Sequence, residues 1–132
     1  MIDRDGGHMQ IGEVAAATEL SIRTIRHYDE LGLVTPSARS TGGFRLYTVR
    51  DVERLLVIRR MKPLGFTLAE MKDLLEAVAV LEEAASAPAD RIDAIAKVRE
   101  FQAKTDESAH RLRRHLSYAD EFATLLASRA DA

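Results

Sequence analysis

The chain has no cysteine, no tryptophan and no long apolar run, and each absence removes a class of protein. Without cysteine there is no disulfide framework, thiolate metal site, iron–sulfur cluster or cysteine nucleophile. No stretch approaches the roughly 20 apolar residues that a membrane-spanning helix needs. Aromatics make up only 5% of the 132 residues, and alanine fills many apolar positions. That mixture suits close helix–helix packing better than a β-sandwich, which draws on β-branched and aromatic side chains. The opening Met1-Ile2-Asp3-Arg4-Asp5 is charged, unlike a secretion signal. With 46% apolar and 30% charged residues, the expectation is one small, cytoplasmic, mainly α-helical protein.

What is present is unevenly distributed. The net charge is only −2, yet Ser21 to Lys62 holds nine cations against four anions. Glu76 to Ala132 holds eight cations against eleven anions. A basic segment on a mildly acidic chain points to a polyanionic partner, although charge alone fits an ordinary solvated surface equally well. Catalysis finds no support: there is no phosphate-binding loop, no metal-spaced histidine or acidic cluster, and no nucleophile with a paired base. Glu82-Glu83 reads as solvated charge. Neither an enzymatic role nor a cofactor is expected.

The chain divides into four pieces. Residues 1–9 read as a disordered, linker-like piece foreign to the native sequence, with Met9 a candidate native start. Residues 10–77 form a winged helix-turn-helix domain. Ile11, Val14 and Ala15 recur at helical spacing, Ser21 caps a second helix, and Gly32 ends it in the left-handed conformation. Ile22 and Ile25 face inward with Leu20, while Arg23, Arg26, His27 and Glu30 share the outer side. After the Pro36–Gly43 loop, Val34 and Phe44–Tyr47 are expected to pair as a hairpin, the wing. Capping boxes at Thr48/Asp51 and Thr67/Glu70 open two more helices, the first ended by Pro63 and Gly65. Residues 78–90 are a helix end and a joint. Residues 91–132 are a long helix and a short tail. Heptad positions fall on Ile95, Val98, Ala109, Leu112, Leu116, Ala119 and Leu126, and so long an amphipathic helix needs a partner. A helix folded back on the first domain is the alternative.

The second helix is suited to reading DNA. Arginine in the first turn opposes the helix dipole, which a nearby phosphate or guanine edge would offset. The Tyr28 hydroxyl could reach a phosphate, or the ring could simply pack. Here the residues carry a specific resemblance. Ile11-Gly12-Glu13-Val14-Ala15, Thr24-Ile25-Arg26-His27-Tyr28-Asp29-Glu30-Leu31-Gly32-Leu33-Val34-Thr35-Pro36, Gly43-Phe44-Arg45-Leu46-Tyr47-Thr48, Asp51-Val52 and Leu64-Gly65-Phe66-Thr67-Leu68 follow in order. Together they resemble the N-terminal signature of MerR-type transcription regulators over nearly all of residues 10–76.

The resemblance implies a homodimer joined by an antiparallel coiled coil of the terminal helices. It implies binding to double-stranded promoter DNA at a near-palindrome, with distortion of the spacer so that RNA polymerase is served indirectly. On this chain it places DNA contacts on Arg23, Thr24, Arg26, His27 and Tyr28 of the recognition helix. Arg39, Arg45 and Tyr47 fall on the wing, and Lys62 near a second turn. His27 departs from the family's usual aromatic, and Pro63 is atypical. The family's metal and redox sensors use cysteines, which are absent. His110 and His115 lie about 140° apart on a helix, so they make poor co-ligands and no metal is expected. An unknown small-molecule effector would have to use the dimer seam, the Ala84–Ala89 joint or the tail, where Phe101, Tyr118 and Phe122 read first as packing residues. Two rivals remain at this stage: an effector-independent architectural DNA-bending protein, and a helical protein–protein adaptor.

Overall fold

A computed structural model describes residues 8–132. The chain runs β1 (Met9–Gln10), α1 (Ile11–Thr18), α2 (Ile22–Glu30), β2 (Ala38–Arg39), β3 (Arg45–Tyr47), α3 (Val49–Met61), a 3₁₀ turn (Lys62–Leu64), α4 (Leu68–Glu82) and α5 (Pro88–Ala130). It forms two compact units, Met1–Glu76 and Ala77–Ala132.

In the first unit every helix start has a local cause. Gln10 and Glu13 form a capping box ahead of α1, Ser21 Oγ accepts the Thr24 N–H at 3.0 Å, and Thr48 and Asp51 cap α3 reciprocally. Gly32, at φ 74°, ends α2 in a Schellman motif: its N–H donates to Asp29 O, and the Leu33 N–H to Tyr28 O. Gly65, at φ 83°, closes the 3₁₀ turn that Pro63 initiates. The turn between α1 and α2 uses no glycine. Glu19 takes the left-handed conformation, while buried Thr18 donates to Val14 O and its own carbonyl accepts Arg59 Nη1 at 2.7 Å. Arg59, one of the nine cations of the basic segment, is thereby spent on tying α3 to the end of α1.

The core of this unit is Val14, Ile25, Val34, Tyr47, Leu55 and Ile58, with α1 packed on both α2 and α3. A three-stranded antiparallel sheet in the order β1–β3–β2 borders it, with Met9 opposite Tyr47 and Ala38 opposite Leu46. Three expectations are corrected here. The wing partner of β3 is Ala38–Arg39 and not Val34, whose apolar side chain is buried in the core. Met9 is neither linker nor disordered: it is buried and forms the third strand with Gln10. A two-residue strand is too short to show alternation, and its pairing with residue 47 is non-local. The rest of the expectation for residues 1–9 falls, from residue 1 to 7, outside the described residues. Finally, Ile22 stands at the helix start with 38% of its surface exposed and does not face inward.

In the second unit, Arg91 on the first turns of α5 donates to Leu81 O and Glu83 O, satisfying the last carbonyls of α4. Ser86 Oγ donates to Val80 O, which fixes the turn. α5 has 43 residues, about 65 Å of helix. Ala94, Phe101 and Ser108 are buried at seven-residue intervals, and from His110 onward every residue is exposed. Among the described residues, no helix is long and apolar enough to cross a membrane.

Candidate nucleic-acid interface

α2 presents its outer face through helical spacing alone. Ile25 and Tyr28 lie three apart and share the buried face, so Arg23, Arg26, His27 and Glu30 are left in solvent. Tyr28 is only 3% exposed. Its ring is a core element lying against His27, with centroids 6.2 Å apart, so of the two expectations for Tyr28 the burial favours the packed ring over the phosphate contact. Thr24 is half-buried, and its hydroxyl accepts from Ser21 Oγ at 2.8 Å within the cap.

The wing is built by β2 and β3 and a tight tip. The Ser40 N–H donates to Phe44 O, the Gly43 N–H to Ser40 O, and the Phe44 N–H to Ser40 Oγ. Gly43 sits at φ 79°, and its carbonyl accepts Arg39 Nη1 at 3.2 Å. Phe44 projects from the tip, 67% exposed. Strand register sets Arg39 directly opposite Arg45. Like charges in that arrangement repel, and a local anion relieves the repulsion: Asp29 Oδ2 on α2 stands 3.0 Å from Arg45 Nε.

Arg45 and Tyr47 are two apart on β3 and share a face. Tyr47 is wholly buried, and its hydroxyl has no hydrogen-bond partner. This corrects its assignment as a DNA contact: the phenol is sealed inside the domain. Burial, reinforced by the Asp29 carboxylate, raises its pKa above the ordinary 10.0. A raised folded-state value means that the unfolded chain loses this proton first. The wild type should lose stability as pH rises through 10 and beyond, with no such effect below. Tyr47→Phe removes both the unpaired hydroxyl and this alkaline loss. It should raise the unfolding free energy by about 1 kcal/mol near neutrality, with a larger gain above pH 10, as read from urea titrations at both pH values.

Arg26, Arg39 and Arg45 meet at one place. With Gln10, Ile11, Gly43 and Phe44 they line a groove of about 220 Å³ between α2 and the wing. Arg23 lies on the exposed face of α2 but is not among the lining residues, and neither is Lys62, exposed on the 3₁₀ turn. Three guanidinium groups around an open groove offer fixed, bidentate donors to phosphate oxygens. No cluster of three or more metal-ligating side chains occurs among the described residues. Sequence reasoning missed Gln10 and Ile11 as groove residues and Asp29 as the partner of Arg45. The Gln10/Glu13 spacing signalled a helix start, but nothing local linked residue 29 to residue 45.

Comparison with known proteins gives consistent results. The chain is 45% identical over 67 residues to the HTH-type transcriptional activator mta of Bacillus subtilis, covering 51% of this chain and 26% of that protein. It is 43% identical over 67 residues to the HTH-type transcriptional regulator CueR of Yersinia pestis, covering 51% and 48%. The chain thus spans from about a quarter to about half of these curated relatives. Among solved structures it is similar to the transcription regulator PbrR691 of Ralstonia metallidurans CH34, with 33% identity, 82% of each chain covered and a TM-score of 0.51. HiNmlR, a MerR family regulator lacking the sensor domain and solved bound to promoter DNA, shares the fold at a TM-score of 0.69, with 22% identity and 91% and 88% of the two chains covered. Residues 9–78 match the MerR HTH family regulatory protein model, and residues 52–118 match the MerR DNA-binding model. The chain belongs to the MerR family of helix-turn-helix regulatory proteins.

Proposed function

We propose that this protein is a sequence-specific, DNA-binding transcription regulator that acts as a homodimer in the cytoplasm. The observation that carries this reading is the convergence of Arg26, Arg39 and Arg45 on the groove between α2 and the wing. In this reading α2 enters the major groove. Arg23 and Arg26 meet base edges and phosphates, with Thr24 and His27 beside them, while the wing arginines and Lys62 follow the backbone. A chain of the same fold has been solved on promoter DNA, which supports the same placement here. Two such heads on one dimer would bend and untwist the DNA between half-sites, with specificity arising partly from the deformability of the central steps. RNA polymerase would respond to the altered promoter geometry.

The dimer is built on α5. Ile95, Leu112, Leu116 and Leu126 are exposed large apolar side chains on this helix, and Val98, Ala109 and Ala119 continue the same heptad stripe. Burying that stripe on a second copy removes it from water at about 25 cal/mol per Å². Light scattering should give twice 14.7 kDa, and Leu112→Asp with Leu116→Asp should give the monomer.

The decisive experiment is a gel shift and footprint on the region upstream of the protein's own gene. Protection of a near-palindrome, with salt-dependent affinity, is the expected result. Failure to retain any fragment at low salt refutes DNA binding and leaves the adaptor reading. In vitro transcription from the same fragment separates a regulator from an architectural bending protein.

A further inference from the structure

One arginine of the groove is paired with a group that a simple charge account would not place there. Asp29 puts a carboxylate 3.0 Å from Arg45, one of the three arginines that line the groove, and does so from α2 itself. We propose that Asp29 is a positioning residue for DNA binding: its ion pair with the Arg45 guanidinium keeps that side chain at the groove between α2 and the wing. The proposal rests on the DNA-binding reading given above.

The geometry supports each step. Arg45 Nε lies 3.0 Å from Asp29 Oδ2, and the Asp29 side chain is only 13% exposed. Nε is sealed from solvent and makes no hydrogen bond, so its tie to Asp29 is one of charge, while 35% of the Arg45 side chain is exposed and the residue lines the groove. The carboxylate therefore restrains the guanidinium by charge, and the two Nη groups, with four N–H donors, remain for a phosphate. Across the strand pair Arg39 stands directly opposite. Without the carboxylate, mutual repulsion and the rotamer freedom of a long side chain would carry Arg45 away from the groove. Asp29 is itself fixed, because it lies in the last turn of α2, where its carbonyl accepts the Gly32 N–H of the Schellman motif. Three parts of the fold thus converge on one guanidinium: the end of the recognition helix, the wing strand and the groove.

This account makes a prediction opposite in sign to that of net charge. Removing the anion paired with a groove arginine should, on charge alone, tighten binding and steepen its salt dependence. Positioning predicts weaker binding. The test measures binding of a labelled duplex from the protein's own upstream region by fluorescence anisotropy across a salt series. The proteins compared are wild type, Asp29→Asn, Arg45→Ala and the double variant. We expect Asp29→Asn to lose about 5- to 10-fold in affinity. In the Arg45→Ala background the same change should have less than about a twofold effect, or a small gain. Asp29→Glu keeps the charge but moves the carboxylate by one methylene, and should lose affinity with an unchanged salt slope. It also serves as the test should the asparagine variant melt. Equal losses from Asp29→Asn in both backgrounds would reveal a merely structural role, and tighter binding with a steeper slope a merely electrostatic one. Either overturns the proposal. A wild type that binds no duplex at any salt overturns the DNA reading itself and is recognised before any variant is made.

Discussion

Replacing Arg26 and Arg39 together by glutamate should reduce affinity for operator DNA by about 100- to 1,000-fold in moderate salt, the largest functional effect expected of any pair of surface changes. Two cations become anions within one groove. Near a protein surface a unit charge pair a few ångströms apart interacts by about 1–4 kcal/mol, so losing two attractions and gaining two repulsions readily supplies the 2.7–4 kcal/mol that such a loss represents. The logarithmic salt dependence should fall by roughly two, one for each phosphate no longer neutralised. Both side chains are exposed, and neither supports the core, so the thermal transition should stay within a degree or two of the wild type. An anisotropy titration across a salt series, paired with a melting curve, reads both. Unchanged affinity would remove the groove from the interface. Arg23→Ala offers a contrast: as a base contact it should relax preference at one operator position by about 1–3 kcal/mol while leaving non-specific binding nearly intact.

The largest effect on stability should come from Asp51→Ala. Asp51 is 4% exposed, and its Oδ2 accepts from Ser37 Oγ at 2.7 Å and from the Thr48 N–H at 2.8 Å. Its own N–H donates to Thr48 Oγ1 at 3.3 Å, which completes the cap of α3. Alanine leaves the Thr48 N–H and the Ser37 hydroxyl without their acceptor and removes a negative charge from the positive end of α3. A lost cap and an unpaired buried donor together destabilise by about 2–4 kcal/mol. For a domain of this size that lowers the melting temperature by roughly 10 °C or more. Circular dichroism melting measures it, and a change of under about 3 °C would show that water replaces the carboxylate. DNA affinity should fall as well, because Ser37 lies just before β2 and ties the base of the wing to α3.

The helical elements could be read from the chain because their causes are local. Ser21, Thr48 and Thr67 carry capping side chains, each bonded three residues on. Gly32 and Gly65 stop elements where a left-handed residue is needed, and a stretch without glycine or proline marks α5. The roles of the tyrosines were not readable in this way. A tyrosine beside arginines in a basic segment suits a phosphate as well as it suits a core, and only helix phase and strand pairing turned Tyr28 and Tyr47 inward. Met9 and Val34 exchanged expected places for a related reason. Strand partners are chosen by contacts between residues tens of positions apart, and a two-residue strand leaves no periodic trace.

Capping, glycine placement and heptad spacing act over three to seven residues, so the order of residues settled the helices, the turn between α1 and α2, the basic outer face and the apolar stripe of α5. Folding supplied what depends on distance through space: which arginines share a groove, which strand pairs with which, and which charge holds which. Arg59 spent on a carbonyl, Arg45 held by Asp29 and Tyr47 sealed without a partner all follow from packing. Pairing and burial energies depend on separations of a few ångströms, and along the chain Arg45 stands 16 positions from Asp29 and Arg59 stands 41 from Thr18.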